Sequence, residues 1–222
     1  MKLDKAALAQ AMRLYAVTDR SWLKAGETLP QAVEAAILGG ATFVQLREKA
    51  LDHDAFLQLA LEVGAVCRKH GVPFVINDDV QIALECGADG VHVGQSDMAA
   101  AKAREILGPD KIIGVSAHDL QEALEARAQG ADCLGVGTMF PTSTKLDAEA
   151  VSFEMLREIC EAVDLPTVAI GGIGAHNVHL LNGTGIAGAA VVSAIFAAPD
   201  IQKAAGELRS LLDGICDGQK EA

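Results

Sequence analysis

Two carboxylates stand just past neighbouring apolar runs: Asp78 closes Phe74-Val75-Ile76-Asn77-Asp78, and Asp97 ends Val91-His92-Val93-Gly94-Gln95-Ser96-Asp97. Cations occupy the same kind of position elsewhere. Arg47 and Lys49 follow Thr42-Phe43-Val44-Gln45-Leu46, and Lys145 lies beyond Leu134-Gly135-Val136-Gly137, across a Thr- and Pro-rich loop. If these runs are parallel strands of one sheet, the carboxylates, ammonium and guanidinium groups converge at one rim, an arrangement suited to a magnesium-bound polyphosphate. Glycine-rich turns supply a second anion site. Ile170-Gly171-Gly172-Ile173-Gly174 ends one run, and Val191-Val192-Ser193-Ala194-Ile195 passes from another straight into a short helical segment. Backbone N–H groups in such loops bind phosphate. A second phosphate site beside a metal–diphosphate site suggests two phosphorylated substrates.

Each residue also has a plainer reading. Asp78, Asp79 and Asp97 could cap helices. Gln45 and Arg47 share one face of their strand by its period of two, so they are costly inside a core unless they meet a ligand or a partner such as Glu48. His92, between two valines, reads as a hydrogen-bonded core residue, and the remaining histidines show no metal-ligand spacing.

The elements that must position these groups are marked by a repeated junction, in which an amphipathic stretch ends at Gly and an apolar run begins. It occurs at Gly39-Gly40, Gly71, Gly87, Gly108 and Gly130, with Leu165-Pro166 and Gly183-Thr184-Gly185 playing the same part. A glycine just past a helix takes the left-handed conformation that closes the last turn. Between the junctions, residues 31–38, 54–69, 80–86, 98–107, 120–129, 153–163 and 177–181 have helical period, some opening on a capping residue such as Asp52 or Asp119. With 14–17 as first strand and 201–212 as last helix, the count is eight strand–helix units. That count predicts a (β/α)8 TIM barrel with its active site at the C-terminal ends of the strands. A doubly wound open sheet is the structural alternative.

Composition agrees with one α/β domain over 1–222, preceded by a short N-terminal helix: 50% of the 222 residues are apolar, aromatics are only 4%, and there are 22 glycines. The net charge of −12 repels nucleic acid. No apolar run reaches the roughly 18 residues of a membrane span, and the charged start is not a signal peptide. Five scattered cysteines without a C-x-x-C pair read as buried free thiols. A cytoplasmic protein acting on small molecules is expected, with no nucleic-acid or membrane partner.

Taken together, Leu14-Tyr15-Ala16-Val17-Thr18-Asp19, Val44-Gln45-Leu46-Arg47-Glu48-Lys49, Ile76-Asn77-Asp78, Gly90-Val91-His92-Val93-Gly94-Gln95-Ser96-Asp97, Ile113-Gly114-Val115-Ser116, the stretch from Gly137 to Lys145 and Val168-Ala169-Ile170-Gly171-Gly172-Ile173 resemble the thiamine-phosphate synthase family. The match runs in order from about residue 13 to 197. The resemblance implies a transferase of thiamine biosynthesis that joins 4-amino-2-methyl-5-hydroxymethylpyrimidine diphosphate to a (carboxy)hydroxyethylthiazole phosphate, releasing diphosphate. It implies that Gln45, Leu46, Arg47, Glu48, Lys49, Asn77, Ser116 and Lys145 contact the pyrimidine diphosphate, with Arg47, Lys49 and Lys145 catalytic. Asp78 and Asp97 would hold Mg2+, and Thr142, Ser143, Thr144, Gly172, Val192 and Ser193 the thiazole phosphate. Ser96 replaces a frequent Glu of the family's metal loop, and Ser116-Ala117-His118 a frequent Ser-Thr-His. A thiazole tautomerase of similar sequence, which would not need the metal pair, and a non-catalytic phosphate-ligand sensor are the competing readings.

Overall fold

The computed structural model describes residues 3–142 and 150–218. Its centre is a closed barrel of parallel strands in chain order: β1 (Leu14–Val17), β2 (Phe43–Leu46), β3 (Phe74–Asn77), β4 (Gly90–Val93), β5 (Ile112–Ala117), β6 (Cys133–Val136), β7 (Thr167–Ile170) and β8 (Gly188–Val191). β1 pairs with both β2 and β8, so no edge is left open and the doubly wound alternative is excluded. The outer ring comprises α2 (Leu29–Leu38), α3 (His53–His70), α4 (Val80–Glu85), α5 (Ala100–Leu107), α6 (Leu120–Ala128), α7 (Phe153–Val163) and α9 (Ile201–Gly218). A helix α1 (Lys5–Ala11) precedes β1, and a single turn α8 (Ser193–Phe196) follows β8.

The helix boundaries follow from local chemistry. The Asp52, Asp79 and Asp119 side chains each accept a backbone N–H in the first turn of α3, α4 and α6. Gly71 closes α3 in the left-handed conformation, φ +68°, as the junction pattern predicts. Between β7 and β8 the expected helix is only a 3-10 turn, Val178–Leu181.

Strand alternation sorts the core into two layers. Leu14, Ala16, Val44 and Leu46 face the helices, whereas Tyr15, Val17, Phe43, Val75, Ile112, Cys133, Val168 and Ala190 fill the barrel. Leu8 and Met12, from α1 and its C-cap, pack into the same interior layer. The helix therefore stoppers the end opposite the strand C-termini. Side chains fill the lower barrel interior, so a ligand reaches the inside of the barrel from the upper rim.

Candidate active site

A cavity of about 420 Å3 opens at the C-terminal ends of the strands. On one side it is walled by loops following β2, β3 and β4. β2 carries Gln45 inward, and the chain then places Arg47 and Lys49 on the same wall. The Arg47 backbone is pinned by its N–H to Thr18 Oγ1, at 3.0 Å. Among the described residues no carboxylate pairs with the Arg47 guanidinium, whereas Lys49 Nζ meets Asp78 Oδ2 at 2.5 Å. The suggested ion pair between Arg47 and Glu48 does not form. Glu48 turns away, with a side chain only 5% exposed, and pairs with Arg20 on the β1 loop.

Asp78 and Asp79 have separate tasks. Asp79 caps α4, which leaves Asp78 to the cavity in a left-handed conformation, φ +65°, with its N–H bonded to the His92 carbonyl at 2.8 Å. For a non-glycine residue this is an uncommon backbone state, held here by that bond and by the Lys49 pair. Asp97 arrives from the β4 loop, anchored where Gly94 N–H donates to its Oδ2 at 2.7 Å. It does not cap the next helix, whose N-cap is Ala99. The Asp78 carboxyl is held above the usual carboxylate value; burial is the largest cause, Lys49 works against it, and the adjacent Asp97 adds to it. Two hard oxygen donors side by side in a partly desolvated wall favour a cation between them. Among the described residues no set of three or more His, Cys, Asp or Glu forms a metal cage, so an ion here would complete its shell with ligand oxygens and water.

The floor is polar where a barrel interior would otherwise be apolar. Gln45 Nε2 donates to the Tyr15 hydroxyl at 2.7 Å, and His92 Nε2 lies 3.1 Å from Ser116 Oγ. Gly114 and Gly135 make room for the imidazole: a Cβ at Gly114 would fall 2.5 Å from His92 Nδ1. That nitrogen is buried and has no hydrogen-bond partner among the described residues. Burial depresses the His92 pKa to about 4, with Asp97 opposing, so the ring is neutral. An unpartnered bare nitrogen is the less costly orphan, so the proton belongs on Nε2, which then donates to Ser116 Oγ. His92 is thus the core residue its setting predicts, and it lines the site as well. Tyr15, Gln95 and His118 also line it. Gln95 fastens the β4 loop by donating to the Ser116 carbonyl at 2.6 Å, and His118 pairs with Glu122 at 2.8 Å. Their signal in the sequence was only strand parity and nearness to the strand ends.

The opposite wall is formed by Thr142, Gly171, Ile173, Val192 and Ser193. Gly171 and Gly172 both have positive φ, +101° and +63°. Close packing demands the absence of a side chain: a Cβ at Gly171 would lie 2.6 Å from Thr138 Cγ2, and one at Gly172 2.6 Å from the Pro141 carbonyl. Buried Asn177 holds this loop, accepting from Gly174 N–H at 2.8 Å and donating to the Gly172 carbonyl at 2.9 Å.

Most expected contact residues therefore come together: Gln45, Arg47, Lys49, Asn77, Asp78, Asp97, Ser116, Thr142, Val192 and Ser193 line one space. Two of the expected contact residues turn their side chains away from the cavity. The Leu46 side chain is fully buried between barrel and helices because it has the opposite parity to Gln45, and the Glu48 carboxylate is consumed by Arg20 and its own loop. Neither side chain is available to a ligand. Gly172 stands behind the wall, packed on the β6 loop. Ser143, Thr144 and Lys145 lie outside the described residues.

The sequence model of thiamine monophosphate synthase matches residues 14–195. The chain belongs to the thiamine-phosphate synthase family. Thiamine-phosphate synthase of Ruminiclostridium cellulolyticum is 53% identical over 195 residues, covering 88% of this chain and 92% of that protein. The enzyme of that name from Clostridium tetani is 50% identical over 195 residues, covering 88% and 93%. Among solved structures, thiamine phosphate pyrophosphorylase from Pyrococcus furiosus superposes with a TM-score of 0.87 at 39% identity, over 94% of this chain and 98% of that one. Thiamine-phosphate synthases are transferases, and the barrel predicted from the alternating sequence pattern is the fold of this family.

Proposed function

We propose that the cavity joins 4-amino-2-methyl-5-hydroxymethylpyrimidine diphosphate to a hydroxyethylthiazole phosphate, giving thiamine phosphate and diphosphate. The observation that carries this reading is the facing of two walls across one cavity: Arg47, Lys49, Asp78 and Asp97 on one side, and the Gly171 loop with Ser193 on the other. The first suits a leaving diphosphate with its counter-ion, the second the phosphate of the incoming thiazole. The polar floor of Gln45, His92 and Ser116 suits a heteroaromatic ring with nitrogen acceptors and an amino group.

Asp78 and Asp97 fit Mg2+, because they are paired hard-oxygen donors with no third His, Cys, Asp or Glu beside them among the described residues, an arrangement that leaves room for diphosphate oxygens. When bound, the ion would supply a Lewis acid that neutralises charge on the diphosphate. Arg47 and Lys49 stabilise the same charge as it develops. The methylene carbon–oxygen bond breaks with its electron pair going to diphosphate, and the aminopyrimidine delocalises the positive charge left on the methylene. The thiazole nitrogen then donates its lone pair to that carbon. This nitrogen carries no proton, so the step needs no general base. A cytoplasmic setting accords with five cysteines that are free of disulfides, and small-molecule substrates accord with the enclosed cavity.

The test is a coupling assay with both purified substrates, with and without Mg2+, following thiamine phosphate and diphosphate. Magnesium-dependent formation of both in equal amounts is expected. Isomerisation of a thiazole substrate without coupling, or ligand binding without turnover, would overturn the reading. Electron-withdrawing substituents on the pyrimidine should slow single turnovers steeply, since they disfavour the cation; an insensitive chemical step would exclude departure before attack.

A further inference from the structure

Glu48 sits between Arg47 and Lys49 in the chain and would be the nearest competitor for both cations. It does not compete. One oxygen, Oε2, accepts from Arg20 Nε at 2.5 Å, and the other, Oε1, accepts the successive backbone N–H groups of Lys49, Ala50 and Leu51 at 2.8, 2.7 and 3.2 Å. Burial disfavours its charge, but Arg20 and the backbone N–H groups together outweigh burial and hold its pKa below the usual value. The carboxylate is therefore ionised, buried and fully occupied. Arg20 belongs to the 3-10 turn Arg20–Trp22 after β1 and is absent from the residues lining the cavity. Its own loop is set by Asp19, whose side chain accepts from Ser21 N–H.

We propose that Arg20 is a positioning residue for the transfer reaction: by serving as the dedicated counter-ion of Glu48 it frees Arg47 and Lys49 to face the diphosphate. This rests on the assignment of those two cations to the diphosphate given above. Two consequences of the geometry support it. First, Glu48 has a structural duty that needs an acceptor oxygen, because three consecutive N–H groups of the turn converge on it and fix the loop from which Arg47 and Lys49 project. Second, that duty places a negative charge beside the anion site, where an unpaired carboxylate would repel diphosphate and draw the neighbouring cations onto itself. Arg20, which does not itself line the cavity, cancels this charge. The geometry of an acceptor is kept while its electrostatic cost to the substrate is removed.

The charge argument predicts a pattern that a simple tether would not produce. Arg20→Ala should lower kcat/KM for the pyrimidine diphosphate by roughly 10- to 100-fold, the scale of a misplaced charge-stabilising group, and leave KM for the thiazole phosphate within about twofold. Arg20→Lys should restore part of the loss. Adding Glu48→Gln to Arg20→Ala should recover most of it, because the amide oxygen still accepts the loop N–H groups while the competing charge is gone. Titration of the folded variants with inorganic diphosphate and Mg2+ should show the same order of affinities without turnover. A double variant as impaired as Arg20→Ala, or an Arg20→Ala enzyme equally weakened toward both substrates, would overturn the proposal, as would unchanged kinetics in Arg20→Ala. Arg47→Ala and Lys49→Ala separate the two levels. If they spare the pyrimidine-diphosphate kinetics, the site assignment itself fails; if they impair them while the Arg20 variants do not, only the role of Arg20 fails.

Discussion

At the scale of single residues the cavity is a set of charges whose partners decide their use. Asp78 and Asp97 crowd each other while Lys49 answers only one of them, so each carboxylate should matter chiefly through a cation. Asp97→Asn and Asp78→Asn are expected to fold and to raise the magnesium concentration required for half-maximal coupling, Asp78→Asn also releasing Lys49. A metal titration of turnover checks this, and unchanged curves for both variants would remove the pair as ligands. His92 makes a prediction about stability. Its folded pKa of about 4 lies below its ordinary 6.5, so between those values the unfolded chain binds a proton that the folded chain refuses. Stability should therefore be intact above pH 6.5 and fall as pH drops toward 4, by up to about 3 kcal/mol from this one group. In His92→Asn that share of the slope should vanish, which urea unfolding of both proteins across the window will reveal. An identical slope would mean the buried imidazole is charged in the folded state.

At the scale of elements, the site depends on how two loops lie against each other. Gly172 carries φ +63° and touches the backbone of residues 140–141, so a substitution acts first on this loop contact and only through it on the phosphate wall. Gly172→Ala should lose at least about 1 kcal/mol of stability, with Gly172→Val worse because a branched residue tolerates positive φ poorly. Both should raise KM for the thiazole phosphate more than for the pyrimidine diphosphate. Denaturant midpoints and the two KM values decide it; a fully stable Gly172→Val enzyme would contradict the packing described. The 3-10 turn before β8 is explained at the same scale. Asn177, buried and bonded to both Gly172 and Gly174, opens that turn while holding the loop, and a four-residue 3-10 turn then fills the place of a full helix.

For the whole molecule, stability and chemistry are held at opposite ends of the barrel. Met12 is completely buried, at 0% exposure, in the interior layer that α1 closes from below, far along the strands from the carboxylates and cations of the upper rim. Met12→Ala should cost about 2–5 kcal/mol of stability by leaving a cavity, while KM and kcat measured well below the melting temperature stay near their normal values. A large kinetic change in a folded Met12→Ala enzyme would show that the two ends are coupled. The overall negative charge, −12, fits the same division: the surface at large repels polyanions, and a diphosphate finds favourable charge where Arg47 and Lys49 line the cavity.

The sequence alone determined the barrel, because helical stretches alternating with apolar strands and glycine joints repeat often enough to close a parallel sheet, and period-two parity then fixed which strand residues face inward. It also determined the chemical class of the rim, since Asp78, Asp97, Arg47 and Lys49 all fall within four residues after strand ends. Parity correctly placed Gln45 inside, and it equally removes the Leu46 side chain from the site. What local pattern could not decide was pairing between residues distant in the chain. That Asp79 rather than Asp78 caps α4 is a matter of one turn of helix, but the partnership of Glu48 with Arg20 spans 28 positions, and His92 reaches Ser116 on the neighbouring strand β5 with glycines clearing its path. Charge partners are chosen by distance in space, where desolvation and competition among all neighbours act at once. Only closure of the barrel sets those distances, and with them which carboxylates are left to hold a cation and which cations are left to meet a phosphate.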